Sequence, residues 1–151
     1  IDKLVDDWQN QRDQTNKEIN KILIVAHRNA DVQIINNKIR EMRVARSEIA
    51  DGYKVKNTVA GVEREIKISQ NDRILFLKND KTLGVANGRF ATITYVNFTE
   101  SGKVIDFNVK LDGSDKEITV NPNSYQDFDY GYAATVHKTQ GVTVDQVLSQ
   151  S

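Results

Sequence analysis

The sequence predicts an α/β fold that is interrupted by a small antiparallel β-sheet or barrel. Three observations lead to this prediction. A helix, a buried strand and a second helix follow one another in the first 51 residues, short β runs fill residues 52–122, and a further buried strand follows the chain's only proline, Pro122. Because 38% of the 151 residues are hydrophobic, the chain has enough apolar side chains for a core.

Residues 1–51 have the pattern of half an α/β unit. Apolar residues recur at helical spacing towards residue 20, and we expect Trp8 to anchor the core beneath that helix. Residues 22–26, ILIVA, are a continuous apolar run, typical of a strand buried on both faces of a parallel sheet. The polar residues 29–31 then begin a second helix, whose apolar positions are Val32, Ile35, Ile39 and Met42.

Residues 52–122 favour short strands instead. Runs rich in β-branched and aromatic residues alternate with turn signals, and the main runs lie at 62–68, 74–77, 90–96, 104–111 and 118–120. Beyond Pro122 the α/β pattern returns, with apolar strands at 132–136 and 142–148. We therefore predict that residues 1–51 and 123–151 form one unit and that residues 52–122 are inserted into it.

The composition excludes several kinds of function. Lys+Arg and Asp+Glu both number 21, so no overall field attracts the chain to nucleic acid, and any such contact must be local. The absence of Cys removes thiolate catalysis and Cys-based zinc sites. No phosphate loop of the form G-x-x-x-x-G-K-[ST] occurs. We predict no catalytic residue, no metal site and no membrane partner, with the cytoplasm as the default location.

Three sequence motifs carry a resemblance to a known family. Residues 132–145, YAATVHKTQGVTVD, resemble motif V of RecD-like superfamily 1 DNA helicases. Residues 72–80 and 83–88, DRILFLKND and LGVANG, are similar to a signature of Ti-type conjugal-transfer relaxase-helicases, although Asn71 stands where that family usually has Gly. Residues 22–40, which include Asn36, resemble the motif IV region. The three matches follow the family's order and cover most of the chain.

The resemblance implies a fold and a function. It implies a partial RecA-like motor lobe, called 2A, made by residues 1–51 and 123–151, with an SH3-like barrel, called 2B, inserted at 52–122. The parent would be a bacterial, ATP-dependent DNA helicase of a conjugative relaxase, using ATP and Mg²⁺ and closing on a first helicase lobe. In this family an arginine-bearing motif VI follows motif V, and the chain stops at Ser151 before any such segment. We therefore expect the chain alone to be an inactive fragment without a cofactor.

The same resemblance implies the site residues. Single-stranded DNA would contact Thr135, His137, Lys138, Thr139, Gln140 and Gly141. The chemistry agrees, because a loop after a parallel strand is a common ligand site and Lys138 adds a fixed positive charge for phosphate. Alternatively, His137 and Gln140 only satisfy buried backbone groups. Arg28 is a candidate for ATP phosphate, and a surface ion pair is the alternative for it.

Other charged and aromatic residues have simpler interpretations. The second helix carries Lys38, Arg40, Arg43 and Arg46, which we interpret as an ordinary solvated face. The aromatic residues Tyr95, Phe98 and Phe107 are expected to fill the core rather than to stack on bases. A rival function is a protein-interaction module, in which the inserted strands are recognised by the secretion coupling machinery of conjugation.

Overall fold

The computed structural model describes residues 2–15, 22–136 and 146–149. The chain divides into two compact units, one formed by residues 1–42 and 132–151 and the other by residues 43–131. The predicted insertion, 52–122, falls inside the second unit. In chain order the elements are α1 (Asp2–Thr15), β1 (Ile22–Ala26), α2 (Asn29–Ala45), β2 (Tyr53–Val59), β3 (Val62–Ile68), β4 (Arg73–Phe76), β5 (Phe90–Phe98), β6 (Val104–Leu111), β7 (Glu117–Val120), β8 (Phe128–Tyr130), β9 (Ala133–Thr135) and β10 (Gln146–Ser149).

The first unit contains a parallel sheet in the order β10-β1-β9. The central strand β1 is buried along residues 23–26, as its continuous apolar run predicts, and it pairs in parallel with both neighbours. Trp8 is fully buried, and its ring meets that of Tyr132 edge-on with centroids 6.4 Å apart. The predictions of a parallel strand and of a core tryptophan are confirmed.

Helix α2 buries one stripe and ends in a defined cap. Its apolar positions Val32, Ile35 and Ile39 are buried, as helical spacing predicts. At the other end the Ser47 amide donates to the Val44 carbonyl and the Glu48 amide to the Arg43 carbonyl, which is the hydrogen-bond pattern of a Schellman cap. Ser47 occupies the left-handed position of this cap, with φ of 60°, where glycine is usual.

The second unit is built from antiparallel strands. A five-stranded sheet has the order β7-β6-β5-β4-β8, and β2 and β3 form a separate hairpin. Apolar residues from both sheets share one core, whose largest fully buried members are Phe76, Phe107, Phe128, Ile68, Ile74, Ile93 and Val109. The prediction of a small antiparallel sheet is confirmed. The ladders of residues 43–131 do not close into a barrel, since β7 and β8 are the ends of the five-stranded order.

The signature around residue 72 serves the structure of this unit. Asp72 is fully buried and accepts hydrogen bonds from the amide and hydroxyl of Ser69 at 2.9 and 3.2 Å, which fixes the turn before β4. Asn71 lies in that turn with φ of 74°, a conformation that glycine and asparagine adopt most easily. The turn is therefore compatible with asparagine at the position where the resembling family usually has glycine.

The rest of the signature holds the β4–β5 connection. The Asn79 side chain accepts a hydrogen bond from the Asn87 amide at 2.7 Å, and Asp80 accepts one from the Leu83 amide at 2.8 Å. Gly88 has φ of 92°, and its amide donates to the Phe76 carbonyl. These hydrogen bonds close the loop on itself, so the residues of this segment serve the backbone geometry of the loop.

Two expectations about exposed and buried side chains are wrong. Phe107 is fully buried as predicted, but Tyr95 is 53% and Phe98 45% exposed, so these two do not fill the core. Arg40 and Arg43 are buried, at 6% and 5% exposure, rather than lying on a solvated face. The buried charge of Arg43 is compensated by an ion pair with Glu48 at 3.2 Å and by a hydrogen bond to the Asn71 carbonyl at 3.0 Å.

Candidate nucleic-acid interface

The parallel sheet of the first unit brings two predicted site segments to one edge. The register aligns Ala26, the last residue of β1, with Thr135, the last residue of β9. Because the two strands run in parallel, their last residues lie at the same edge of the sheet, which we call the carboxyl edge. Thr135 ends β9 at this edge, and Arg28 lies two residues beyond the end of β1. In open α/β sheets ligands bind beyond this edge. Thr135 is half-buried there, which leaves part of its side chain open to solvent.

The remaining residues predicted to contact DNA, His137, Lys138, Thr139, Gln140 and Gly141, lie outside the described residues. Strand β9 leads directly towards them, and β10 follows them. The predicted strand at 132–136 is observed as Ala133–Thr135, and the predicted strand at 142–148 is represented by Gln146–Ser149. The order of strand, polar segment and strand is therefore as the sequence predicts.

Arg28 lies exposed at the carboxyl edge. Its side chain is 77% exposed, and its Nε donates to Asp31 Oδ2 at 3.2 Å across one turn at the start of α2. This is the ion pair that the sequence left open as the alternative to an ATP contact. Pairs exposed to this degree contribute little free energy, so the guanidinium can exchange its carboxylate for another anion at small cost.

Asn36 connects α2 to the strand that ends at this edge. It is 1% exposed, and its Oδ1 accepts hydrogen bonds from the amides of Tyr132 at 3.1 Å and Ala133 at 2.8 Å. Its Nδ2 donates to the Ala133 carbonyl at 3.4 Å. Sequence reasoning noted Asn36 only as part of the motif IV resemblance. A polar residue between the buried Ile35 and Ile39 is the signal that could have identified this role.

Within the described ranges, no group of three or more acidic, His or Cys side chains could hold a metal ion. A separate ion pair joins the two helices of the first unit, where Lys38 Nζ lies 2.7 Å from Asp2 Oδ1. The hydrogen bond from Lys38 lowers the pKa of Asp2. No helix in the described part of the chain is long and apolar enough to cross a membrane.

Solved structures of Pif1 helicases resemble this fold. A Bacteroides Pif1 helicase in complex with ADP-AlF3 and single-stranded DNA matches 86% of this chain and 34% of its own, with a TM-score of 0.57 and 20% identity. A structure of two coordinating Pif1 helicases on forked double-stranded DNA matches 96% of this chain and 35% of its own, with a TM-score of 0.55 and 17% identity. The mixed α/β fold of this chain is therefore similar to a part of the Pif1 helicase fold.

The relatives in sequence are conjugal transfer proteins. TraA of Rhizobium radiobacter is 33% identical over 147 residues, and TraA of Agrobacterium fabrum is 35% identical over the same length. These alignments cover 97% of this chain but only 12% of each relative. No protein-family model matches the chain. The resemblance of the motifs to conjugal-transfer proteins is confirmed, since this chain is homologous to a segment of TraA.

Proposed function

We propose that this chain is the DNA-contacting part of the ATP-dependent helicase of a conjugative relaxase, and that it contacts single-stranded DNA through Thr135 and residues 137–141. The observation that carries the proposal is the register between β1 and β9, which aligns Ala26 with Thr135 at the carboxyl edge. Support also comes from the helicase fold and from the TraA relatives.

The chemistry of the segment suits a phosphodiester backbone. Thr135 offers a hydroxyl donor at the end of a buried strand, and Lys138 adds a positive charge three residues later. Gly141 lets the backbone turn sharply or approach the strand closely. Such contacts position a nucleic acid without reading its sequence, which is what a motor needs as it moves along DNA.

The proposal includes ATP in the complete protein. Arg28 fits a phosphate, because its guanidinium is exposed beyond the end of β1. The contact described above for it is a solvent-exposed ion pair with Asp31. Its guanidinium would supply a positive charge and two parallel hydrogen bonds to the phosphate oxygens, as arginine does at many phosphate sites. Mg²⁺ would be held by residues of the first helicase lobe, which is the proposed partner of this chain.

The two units correspond to the proposed parts of the motor. The first unit, with its parallel sheet, is our candidate for most of lobe 2A of a RecD-like helicase. The second unit is our candidate for the inserted 2B domain, with an SH3-like arrangement of its two sheets around the shared core. Closure of lobe 2A on the first lobe around ATP would then move its grip along one DNA strand.

The DNA contact is testable by fluorescence anisotropy with a labelled oligothymidylate at several salt concentrations. We expect binding that weakens steeply with salt, and Lys138→Ala should lower both the affinity and the salt slope, the latter by about 0.7 for one lost phosphate contact. Lys54→Ala, which removes a lysine that is 68% exposed on β2, is the matched control and should change neither. Wild-type protein that does not bind even at low salt would refute the proposal.

A second candidate function is recognition by the secretion coupling protein of conjugation. It is favoured by the exposed aromatics of the second unit, Tyr95 at 53% and Phe98 at 45%, since aromatic side chains are enriched in protein interfaces. The anisotropy experiment separates the two functions. Absence of DNA binding, together with capture of purified coupling protein that is lost in Tyr95→Ser, would favour this candidate.

A further inference from the structure

We infer that Asn36 is a positioning residue that fixes Thr135 for its contact with DNA. The inference rests on the proposed function and adds to it a residue that does not itself touch the ligand. Asn36 lies on α2, and its carboxamide contacts Ala133, the first residue of β9, on the side of the strand that faces away from β1. Thr135 lies two residues after Ala133 on the same extended strand, so a shift of Ala133 would displace Thr135 as well.

The hydrogen bonds explain why this contact matters. Strand β9 has β1 as its only neighbour in the described sheet, and Ile24 reaches it by donating to the Tyr132 carbonyl at 3.3 Å. The Ala133 amide donates to Asn36 Oδ1 at 2.8 Å, and the Ala133 carbonyl accepts from Asn36 Nδ2 at 3.4 Å. One side chain thus takes the place of a neighbouring strand, accepting from an amide and donating to a carbonyl of the same residue.

Strand β9 is too short to keep its position through its own pairing with β1. With three residues in β9, the register of Thr135 depends on few hydrogen bonds, so the loss of the Asn36 contacts would free the strand end. The carboxamide is also buried at 1% exposure, so water cannot easily replace it. Backbone groups left without a partner would move towards solvent, and the Thr135 hydroxyl would move with them.

The test is a double-mutant cycle on single-stranded DNA affinity, using Asn36→Ala and Thr135→Val in the whole chain. Each single substitution should weaken binding to the labelled oligothymidylate about tenfold, the value of one hydrogen bond to a charged group. If Asn36 acts through Thr135, the double variant should also bind about tenfold more weakly, because the second change removes nothing further. The salt slope should stay at the wild-type value in all three variants, since no phosphate-paired charge is removed.

A matched control separates positioning from general stability. Asn57 is another fully buried asparagine, whose Nδ2 donates to the Phe128 carbonyl of β8 at 3.0 Å in the second unit. Asn57→Ala should lower the free energy of unfolding by an amount similar to Asn36→Ala but leave DNA affinity unchanged. All measurements are made at a temperature where circular dichroism shows each variant to be folded.

Several outcomes would overturn the inference. Losses that add, giving about a hundredfold weaker binding in the double variant, would mean that Asn36 does not act through Thr135. A folded Asn36→Ala protein with wild-type affinity would also refute it, while the proposed function would stand. If Asn36→Ala does not fold, Asn36→Asp takes its place in the cycle, keeping the acceptor for two amides but losing the donor to Ala133; wild-type affinity would refute the inference again. Wild-type protein that does not bind DNA would refute both inference and function.

Discussion

Replacement of Arg73 by Met should destabilise the second unit strongly, although Arg73 is part of a helicase-family signature. Its guanidinium makes two hydrogen bonds to the Asp112 carboxylate, each 2.6 Å long, and a third to the Thr92 hydroxyl at 3.0 Å. The Arg73 side chain is 4% exposed and Asp112 29%. Arg73→Met keeps much of the aliphatic volume and removes these contacts.

The geometry sets the magnitude. Removing one partner of a fully buried ion pair costs about 3–5 kcal/mol, because the other charge stays buried without compensation. Since Asp112 is partly exposed, water can rehydrate its carboxylate, and we expect a loss of about 2–3 kcal/mol in the free energy of unfolding. With a slope of about 2 kcal/mol per M, the urea midpoint should fall by about 1 M.

The assay is urea unfolding followed by circular dichroism, with Lys110→Met as the control. Lys110 also pairs with a carboxylate, that of Asp115, but at 3.8 Å and with a side chain 54% exposed, so its loss should cost less than about 0.5 kcal/mol. A midpoint for Arg73→Met that matches the control would refute the reasoning. It would mean that Arg73 has another role in the signature.

Three further predictions concern single positions in the second unit. Ala60 holds φ of 51° in the β2–β3 turn, so Ala60→Gly should raise the free energy of unfolding by about 1 kcal/mol in urea unfolding; a decrease would contradict this. A Cβ on Gly131 would lie 2.8 Å from the Ile74 backbone, so Gly131→Ala should lower the melting temperature, at a cost of about 2 kcal/mol. Burial raises the pKa of Tyr125 to about 12 from 10.0, and its hydroxyl donates to the Lys78 carbonyl. Because the folded-state pKa is the higher one, this contribution is complete below pH 10 and is lost as the pH rises towards 12; the stability of Tyr125→Phe should fall less over that range.

The parts of the fold that local pattern determines were predictable. Residues 22–26 and α2 have strong periodic signals, and both elements are observed with the expected burial. Each of these features depends on neighbouring residues, which a single sequence displays directly.

Features that depend on distant pairing were not predictable. Strand β8 has only three residues and exists because it pairs with β4, more than 50 residues earlier, so it lacks a pattern of its own. The exposure of Tyr95 and Phe98 has a related cause. Register shifts interrupt β5 between Ile93 and Tyr95 and between Asn97 and Phe98, and each irregularity changes which side chains face the core.

The candidate site divides in the same way. The motifs identified the residue types, and the parallel register brings Thr135 and Arg28 to one edge, which spacing alone does not establish. The contacts of Asn36 are not visible in the sequence, because its partners Tyr132 and Ala133 lie almost 100 residues away along the chain. The position of Arg43 on a basic helix predicts a solvated side chain, but the guanidinium is buried, where it pairs with Glu48 and donates to the Asn71 carbonyl.

Photo-crosslinking would test the central claim most directly. An oligothymidylate carrying 5-iodouracil is irradiated in complex with the whole chain, and the modified residues are located by tandem mass spectrometry. We expect the nucleotide adducts to fall on the segment from Thr135 to Gly141, with competition by unlabelled single-stranded DNA. Adducts found only on the strands of residues 43–131, or none at all under conditions of measured binding, would contradict the account.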